Sequence, residues 1–168
     1  KEQFIKEVTD GILPPPQYFA KNAAMNKTGY ESLDEVFEKG LNPLTAQAFE
    51  DAANATGALV LDTRSPQEFA KSFIPNAINI GLNGQFAPWV GAMIVNVNQP
   101  IILVTDAGME EETVTRLSRV GFDHVLGHLK GGFQSWVDAD KEMDTVHRIT
   151  ATEFASQIEG KDVMVVDV

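Results

Sequence analysis

Apolar residues along the chain fall into short continuous runs that alternate with longer segments of mixed character. Residues 58–61 (ALVL) and 101–104 (IILV) are runs of four apolar residues, which is typical of strands buried on both faces of a parallel sheet. A further strand is predicted over residues 122–126, and helices are predicted over residues 82–94 and 110–120. Strands that alternate with helices in this way predict an α/β sandwich, with helices on both faces of a parallel sheet.

Capping and turn residues mark where further helices begin. Ser65 is a favoured N-cap residue, and it is followed by Pro66 at the first helical position and by Glu68 three residues on. This combination is typical of a capping box. Gly131 and Gly132 predict a turn that leads into another helix.

An internal repeat divides the chain into units. Residues 44–62 (LTAQAFEDAANATGALVLD) and 149–167 (ITATEFASQIEGKDVMVVD) share a short apolar start, an amphipathic helix, a turn and an apolar run that ends in aspartate. The repeat predicts one full domain over residues 44–143, of normal domain length, and the start of a second over residues 144–168. Three identities lie at a constant offset of 105 positions: Thr45 with Thr150, Phe49 with Phe154, and Asp62 with Asp167.

Both flanks of the full unit differ from it in character. Residues 1–43 contain three consecutive prolines at positions 14–16 and one predicted short helix over residues 30–39, ended by Gly40, so we expect a linker or the tail of a preceding domain there. The apolar strand predicted over residues 163–167 has no sheet of its own. We expect it to pack against the full unit or a neighbouring molecule, because an unpaired apolar strand invites pairing.

Composition and charge narrow the classes of partner and chemistry. Lys and Arg number 13 against 24 Asp and Glu, a formal net charge of −11, and such a surface repels nucleic acids and anionic membranes. The 168 residues contain no cysteine, which excludes a disulfide, a thiolate zinc site and a cysteine nucleophile within them. No apolar run reaches the length of a membrane span, and we expect a soluble cytoplasmic protein.

Four motifs, in this order, resemble those of the rhodanese-like domain family. The resemblance covers about residues 44–140 and implies a three-layer sandwich around a five-stranded parallel sheet. It also implies a ligand loop between the strand at 101–104 and the next helix. The motifs are Asp62-Thr63-Arg64, then Phe73-Ile74-Pro75-Asn76-Ala77, then Ile101-Ile102-Leu103-Val104, and last Gly131-Gly132-Phe133 with Trp136.

The ligand loop departs from the family pattern at its reactive position. In active members the loop begins with a cysteine, has a glycine three residues later and ends near an arginine. When Gly108 sets the register, Thr105 stands in the cysteine position and Glu110 in the arginine position; with a loop one residue shorter, Asp106 replaces the nucleophile. Either register lacks the thiolate that accepts sulfur. We therefore expect no catalytic residue in the degenerate loop formed by Thr105, Asp106, Ala107, Gly108, Met109 and Glu110.

A finer resemblance points to a fusion protein. Residues 101–129 are similar to a degenerate rhodanese unit found behind a metallo-β-lactamase-fold domain, and residues 11–19 (GILPPPQYF), with Asn22 and Asn26, are similar to the tail of that metal domain. The resemblance implies a parent that is a metal-dependent persulfide dioxygenase or hydrolase with sulfurtransferase activity. Iron or zinc is expected in the upstream domain and no cofactor in this segment. The implied partners are the metal domain and the second rhodanese-like unit, with a homo-oligomer left open.

The remaining candidate residues are interpreted as structural. Asp62 and Arg64 are expected to form an ion pair at a strand end, and Gly131 with Gly132 a turn rather than a phosphate loop. Trp89 and Trp136 are expected in a core or interface. His124 and His128 stand four apart, but a strand followed by a turn points them apart, so no metal site is expected.

Three functional hypotheses stay open at this point. We favour a non-catalytic scaffold or interaction unit that docks and orients a catalytic neighbour. The second is a module that binds a cationic or neutral ligand near Asp106 and Glu110. The third is an enzyme that uses Thr105 or Asp106 in place of cysteine, and it requires a base and a cation beside the loop.

Overall fold

The chain forms a five-stranded sheet with helices packed on both of its faces. The computed structural model describes residues 1–11, 18–29 and 32–166. The strands are β1 (Pro43–Leu44), β2 (Leu59–Asp62), β3 (Ile78–Asn79), β4 (Ile101–Val104) and β5 (Val125–Leu129). The helices are α1 (Glu2–Thr9), α2 (Tyr18–Thr28), α3 (Leu33–Gly40), α4 (Ala46–Thr56), α5 (Pro66–Lys71), α6 (Phe86–Met93), α7 (Glu110–Ser118), α8 (Gly132–Asp138) and α9 (Ala151–Ile158).

The sheet is parallel, and β4 lies at its centre. The strand order is β1-β5-β4-β2-β3, and β4 pairs in parallel with β2 and with β5. All four residues of β4 are buried, as the continuous apolar run predicted. This architecture confirms the predicted three-layer α/β sandwich.

Alternate residues of β4 face two separate hydrophobic cores, because successive side chains of a strand point to opposite faces. Ile101 and Leu103 pack with side chains from α3, α6 and α7, including the buried Val36, Val90 and Leu117. On the other face Ile102 and Val104 pack with side chains from α4 and α8: Ala46, Phe49, Phe133 and Trp136.

Strand β5 begins three residues later than the predicted strand over 122–126, because Phe122 belongs to the C-terminal cap of α7. The backbone N–H of Phe122 donates to Leu117 O at 3.1 Å and that of Gly121 donates to Ser118 O at 3.0 Å. Gly121 has a φ of 83°, and this arrangement is a Schellman motif. Helix α6 also differs from the prediction over 82–94, since it begins only at Phe86.

Part of the segment expected as a linker belongs to the core of the unit. Val36 of α3 is 1% exposed, and a Cβ on Gly40 would lie 2.9 Å from the Cγ2 of Val114 on α7. The predicted helix over 30–39 is therefore α3, which covers one face of the sheet before the chain enters β1.

Helix α2 also lies against the domain. The ring of Tyr18 lies so close to α6 that a Cβ on Gly91 would stand 2.2 Å from its Cδ1. One turn further on, the Oδ1 of Asn22 would stand 2.6 Å from a Cβ on Gly121. Much of the proline-rich motif before α2, at residues 12–17, lies outside the described residues.

The C-terminal segment leaves the domain after residue 146. Phe73 and Asp144 exchange two backbone hydrogen bonds of 2.9 Å, and the Val146 N–H donates to Ala70 O at 3.0 Å. Helix α9 then starts with a capping box between Thr150 and Glu153. Hydrogen bonds from the Thr150 backbone and side chain hold the pKa of the Glu153 carboxyl below its usual value.

The strand predicted over 163–167 is wrong for the described residues 163–166, and these residues do not pack on the full unit. They form no regular element, and Val165 and Val166 are 60% and 71% exposed. Their repeat counterparts Val60 and Leu61 are buried because β2 lies between β4 and β3. The second copy has no such neighbours among the described residues; Asp167 lies outside them.

The repeat supplies a matched pair of stability tests. Phe49 is fully buried on α4, whereas its counterpart Phe154 on α9 is 37% exposed. Phe49→Ala should lower the free energy of unfolding by about 3–5 kcal/mol, because it leaves a cavity in the core. Phe154→Ala should cost less than about 1 kcal/mol. Urea denaturation measures both; similar losses would mean that α9 packs on the domain.

Candidate functional site

The candidate site lies where β2 and β4 end side by side. Strand β2 connects onward to β3 on one side of the sheet, and β4 connects to β5 on the other. Such a reversal of strand order opens a crevice beyond the carboxyl ends of the strands, where α/β proteins bind their ligands. Two segments line it here: residues 63–65 after β2 and residues 105–109 after β4.

A buried ion pair holds the first of these segments. The Arg64 Nη2 donates to Asp62 Oδ2 at 2.6 Å, and Arg64 Nε donates to both oxygens of this carboxylate at 3.0 Å. The Arg64 backbone N–H donates to Asp62 Oδ1, also at 3.0 Å. The exposed fraction is 0% for the Asp62 side chain and 8% for that of Arg64, so the pair is isolated from solvent.

The guanidinium of Arg64 also joins two further elements to the strand end. Its Nη2 donates to the Ser72 carbonyl oxygen at 3.0 Å, just after α5. Its central carbon lies 3.9 Å from the ring centroid of Phe133 on α8, within the range of a cation–π contact. Arg64 therefore holds the end of β2, the end of α5 and helix α8 together beside the loop.

The second segment, the degenerate loop, is a tight turn. The Met109 N–H donates to Asp106 O at 3.1 Å, and Gly108 at the third position of this turn has a φ of 81°, which favours glycine. Thr105 is 1% exposed, and its Oγ1 is buried without a hydrogen-bond partner in the described part of the chain. Asp106, Ala107 and Gly108 are exposed.

The loop borders a crevice of about 490 Å³ whose cations are already paired. Its lining includes Arg64, bound to Asp62, and Lys71, whose Nζ bonds the Glu68 carboxylate. The carboxylate of Asp106 also borders this space. The described lining residues thus offer a small anion no cation without a carboxylate partner, and the negative charge of Asp106 lies beside the same space, so the crevice is poorly suited to small anions.

Acidic residues continue from the loop into α7. Glu110, Glu111 and Glu112 form the first turn of this helix, where carboxylates are stabilised by the helix dipole. Glu112 pairs with Arg116, and the Nη1 of Arg116 donates to Leu82 O at 2.8 Å. Arg116, the cation nearest to the loop in the α7 sequence, is thus held by Glu112 and Leu82. Glu110 occupies the position where the family pattern has arginine.

The turn before α8 closes the crevice from the other side. Gly131 and Gly132 have φ values of 82° and 65°, and a Cβ on Gly132 would lie 3.1 Å from Thr105 O. Trp136 of the same helix is 3% exposed, and its Nε1 donates to Glu142 O at 2.8 Å. These residues support the loop from behind.

The two histidines considered in the sequence take part in separate local contacts. The His124 Nδ1 lies 3.3 Å from Asn98 O, and His128 is on β5 with its backbone N–H bonded to Asn42 O. Among the residues that the structure describes, no three His, Asp or Glu side chains are grouped to hold a metal ion.

Comparison with known proteins identifies the family of the chain. The family model of the rhodanese-like domain matches residues 45–139. The chain belongs to the rhodanese-like domain family.

Two curated relatives match about half of the chain. It is 30% identical over 95 residues to the protein HIGH ARSENIC CONTENT 1, mitochondrial, of Arabidopsis thaliana, covering 51% of this chain and 56% of that protein. It is 31% identical over 83 residues to an uncharacterized protein of Buchnera aphidicola, covering 49% and 56%. The matched region thus spans little more than half the length of these relatives.

Solved structures share the fold at low sequence identity. A rhodanese-like domain from Anabaena has a TM-score of 0.54 at 17% identity, over 75% of this chain and 92% of that one. A metallo-beta-lactamase from Staphylococcus aureus has a TM-score of 0.57 at 22% identity, over 77% of this chain and 34% of that one.

None of the helices among the described residues is long and apolar enough to cross a membrane.

A second cleft, which no sequence motif predicts, lies on the other side of the loop. This space of about 620 Å³, here called the side cleft, lies between the outer end of β3, the loop and α6. It is lined by Asn79, Gly81, Trp89, Met93, Asp106 and Met109, among others. The composition of α6 (FAPWVGAM) could have indicated this cleft. The helix has more apolar residues than one buried face needs, so some of them must be exposed.

The buried ion pair generates a prediction with an internal control. Asp62→Ala and Arg64→Ala should each lower the free energy of unfolding by about 3–5 kcal/mol, because each leaves one charge buried without its partner. Glu68→Ala, at a pair whose side chains are 53% and 69% exposed, should cost at most about 1 kcal/mol. Chemical denaturation compares the three; equal losses would contradict a central role for the buried pair.

Proposed function

We propose that the chain is a non-catalytic rhodanese-like domain, a scaffold or interaction unit in a cytoplasmic protein of sulfide or persulfide metabolism. The observation that carries this proposal is the loop. The family's sulfur-accepting position holds a buried threonine or an exposed aspartate, and the sequence contains no cysteine. A hydroxyl or carboxylate cannot replace a thiolate as sulfur acceptor at neutral pH.

The contacts of α2 support the scaffold role. Tyr18 and Asn22 lie on one face of α2, against Gly91 of α6 and Gly121 at the end of α7. The close fit at both glycines couples the segment before the domain to its body. The chain thus begins its contacts with the domain at Tyr18 of α2 among the described residues, and we propose that a metallo-β-lactamase-like domain, with iron or zinc of its own, precedes this helix.

Two observations support this fusion. Residues 11–19 with Asn22 and Asn26 resemble the tail of such a metal domain. In addition, the Staphylococcus aureus structure, whose description names a metallo-beta-lactamase, shares this chain's fold over only 34% of its own length. The rest of that protein leaves room for further domains.

The second repeat supports another partner within the same polypeptide. Phe154, Val165 and Val166 are exposed, whereas their counterparts in the first copy, Phe49, Val60 and Leu61, are buried. We propose that residues 144–168 open a second rhodanese-like unit, whose own central strand would cover these exposed side chains as β4 covers β2.

A sulfurtransferase assay tests the central part of the proposal. With thiosulfate as donor and cyanide as acceptor, the wild-type chain should give background turnover only. Thr105→Cys supplies a thiolate that can attack the outer sulfur, form a persulfide and release sulfite. Thr105→Cys with Glu110→Arg should be about tenfold faster than the single variant, because the arginine attracts the anion.

The control is Thr56→Cys, which places a thiol at an exposed end of α4. It should give background turnover only, because Thr56 is the last residue of α4, where the helix dipole disfavours a thiolate, and no introduced arginine accompanies it. Wild-type turnover above background would overturn the proposal, and so would equal rates for Thr56→Cys and for Thr105→Cys with Glu110→Arg.

A double-mutant cycle tests the docking of α2. Gly91→Ala should destabilise the wild-type protein, since the new methyl group collides with the Tyr18 ring. In a Tyr18→Ala background the same change should stabilise by about 1 kcal/mol, because alanine favours the helix over glycine. Urea denaturation gives both values; the same sign in both backgrounds would show that α2 does not occupy this position.

A further inference from the structure

The side cleft combines exposed apolar side chains with a single kind of charge. Trp89 and Met93 lie one turn apart on α6 and are 58% and 55% exposed; Met109 of the loop is 40% exposed. Asp106 is the one charged residue among the described residues that line the cleft. Exposed aromatic and methionine side chains beside a pocket are typical of surfaces that bind other proteins.

The cleft also borders an open edge of the sheet. Strand β3 is the last strand on this side, and the Ile80 N–H that follows it donates inward to Asp62 O at 3.1 Å. Backbone groups alternate in direction along a strand, so those of Asn79 and Gly81 point to the outer edge. Both residues line the cleft, and an extended peptide can bond to such an edge.

We propose that the side cleft binds a basic, apolar peptide segment of a partner protein in extended form. A lysine or arginine of the peptide would lie against Asp106, and its apolar side chains would cover Trp89, Met93 and Met109. The net charge of −11 favours approach of a basic segment from a distance. A peptide fits better than a small ligand because these apolar side chains lie at the surface, whereas small-molecule pockets enclose their ligands.

This inference rests on the proposed role as an interaction unit, and it states the class of ligand that the unit would bind. It does not depend on sulfur chemistry. Failure of peptide binding would leave the proposed inactivity of the loop unaffected, and turnover in the sulfurtransferase assay would leave the cleft unaffected.

Binding can be measured with a fluorescently labelled peptide of alternating leucine and lysine. Its anisotropy should rise to saturation with the wild-type chain, and the Trp89 emission should shift to the blue as the indole leaves water. Trp89→Ala should weaken binding at least about tenfold, because a buried aromatic anchor dominates such contacts. Asp106→Asn should weaken it about threefold, as expected for an exposed ion pair.

Matched variants outside the cleft distinguish binding in the cleft from nonspecific attraction of the peptide to the acidic surface. Asp51→Asn removes one exposed carboxylate on α4, and Phe4→Ala removes one exposed aromatic ring on α1; both should leave the dissociation constant unchanged. Losses equal to those of Asp106→Asn and Trp89→Ala would overturn the proposal. So would saturable binding of the peptide with glutamate in place of lysine, equally tight binding of lysine amide alone, or no binding of the lysine peptide.

Discussion

The buried pair of Asp62 and Arg64 is the interaction on which the site depends. Asp62 ends β2 inside the sheet, and its carboxylate is compensated by a guanidinium that also bonds Ser72 O and lies on the ring of Phe133. A single side chain thus joins the end of β2, the end of α5 and the start of α8. Because a buried charge without its partner is costly, these three elements are held in one arrangement, and the loop after β4 lies against them.

The pair also explains how this rhodanese-like fold is held together without the cysteine of the family pattern. Arg64 and Lys71 line the loop crevice but are engaged with Asp62 and Glu68, and they stabilise the protein in the absence of an anion. The loop itself is closed by the turn from Asp106 to Met109. The turn is therefore maintained by contacts that do not involve the side chain at the position where the family pattern has cysteine.

Local sequence signals predicted the sheet and missed what depends on distant neighbours. The runs at 58–61 and 101–104 indicated buried strands because burial on both faces requires apolar residues at every position. The predicted strand over 122–126 begins three residues before β5, because Phe122 completes the cap of α7 instead. Residues 163–166 carry the same kind of run as β2 and form no strand, since a strand needs partners that a local pattern does not contain.

The same distinction between local and distant neighbours applies to the candidate site. The missing nucleophile and the spacing of Asp62 and Arg64 could be read from motifs, because both are defined by neighbours along the chain. The side cleft could not, because β3, α6 and the loop after β4 are far apart in sequence and meet only in the fold. Helix α3 shows the same limit. The sequence predicts the helix but not the burial of Val36, because that burial depends on core residues that are distant along the chain.

Amide chemical shifts of Thr105 to Glu110 during titration with thiosulfate test most directly whether the loop has lost its anion site. The paired cations and the carboxylates around the loop predict shifts no larger than those caused by sodium chloride at equal ionic strength. Saturable shifts confined to these amides, at thiosulfate concentrations where the rest of the spectrum is unchanged, would contradict the account.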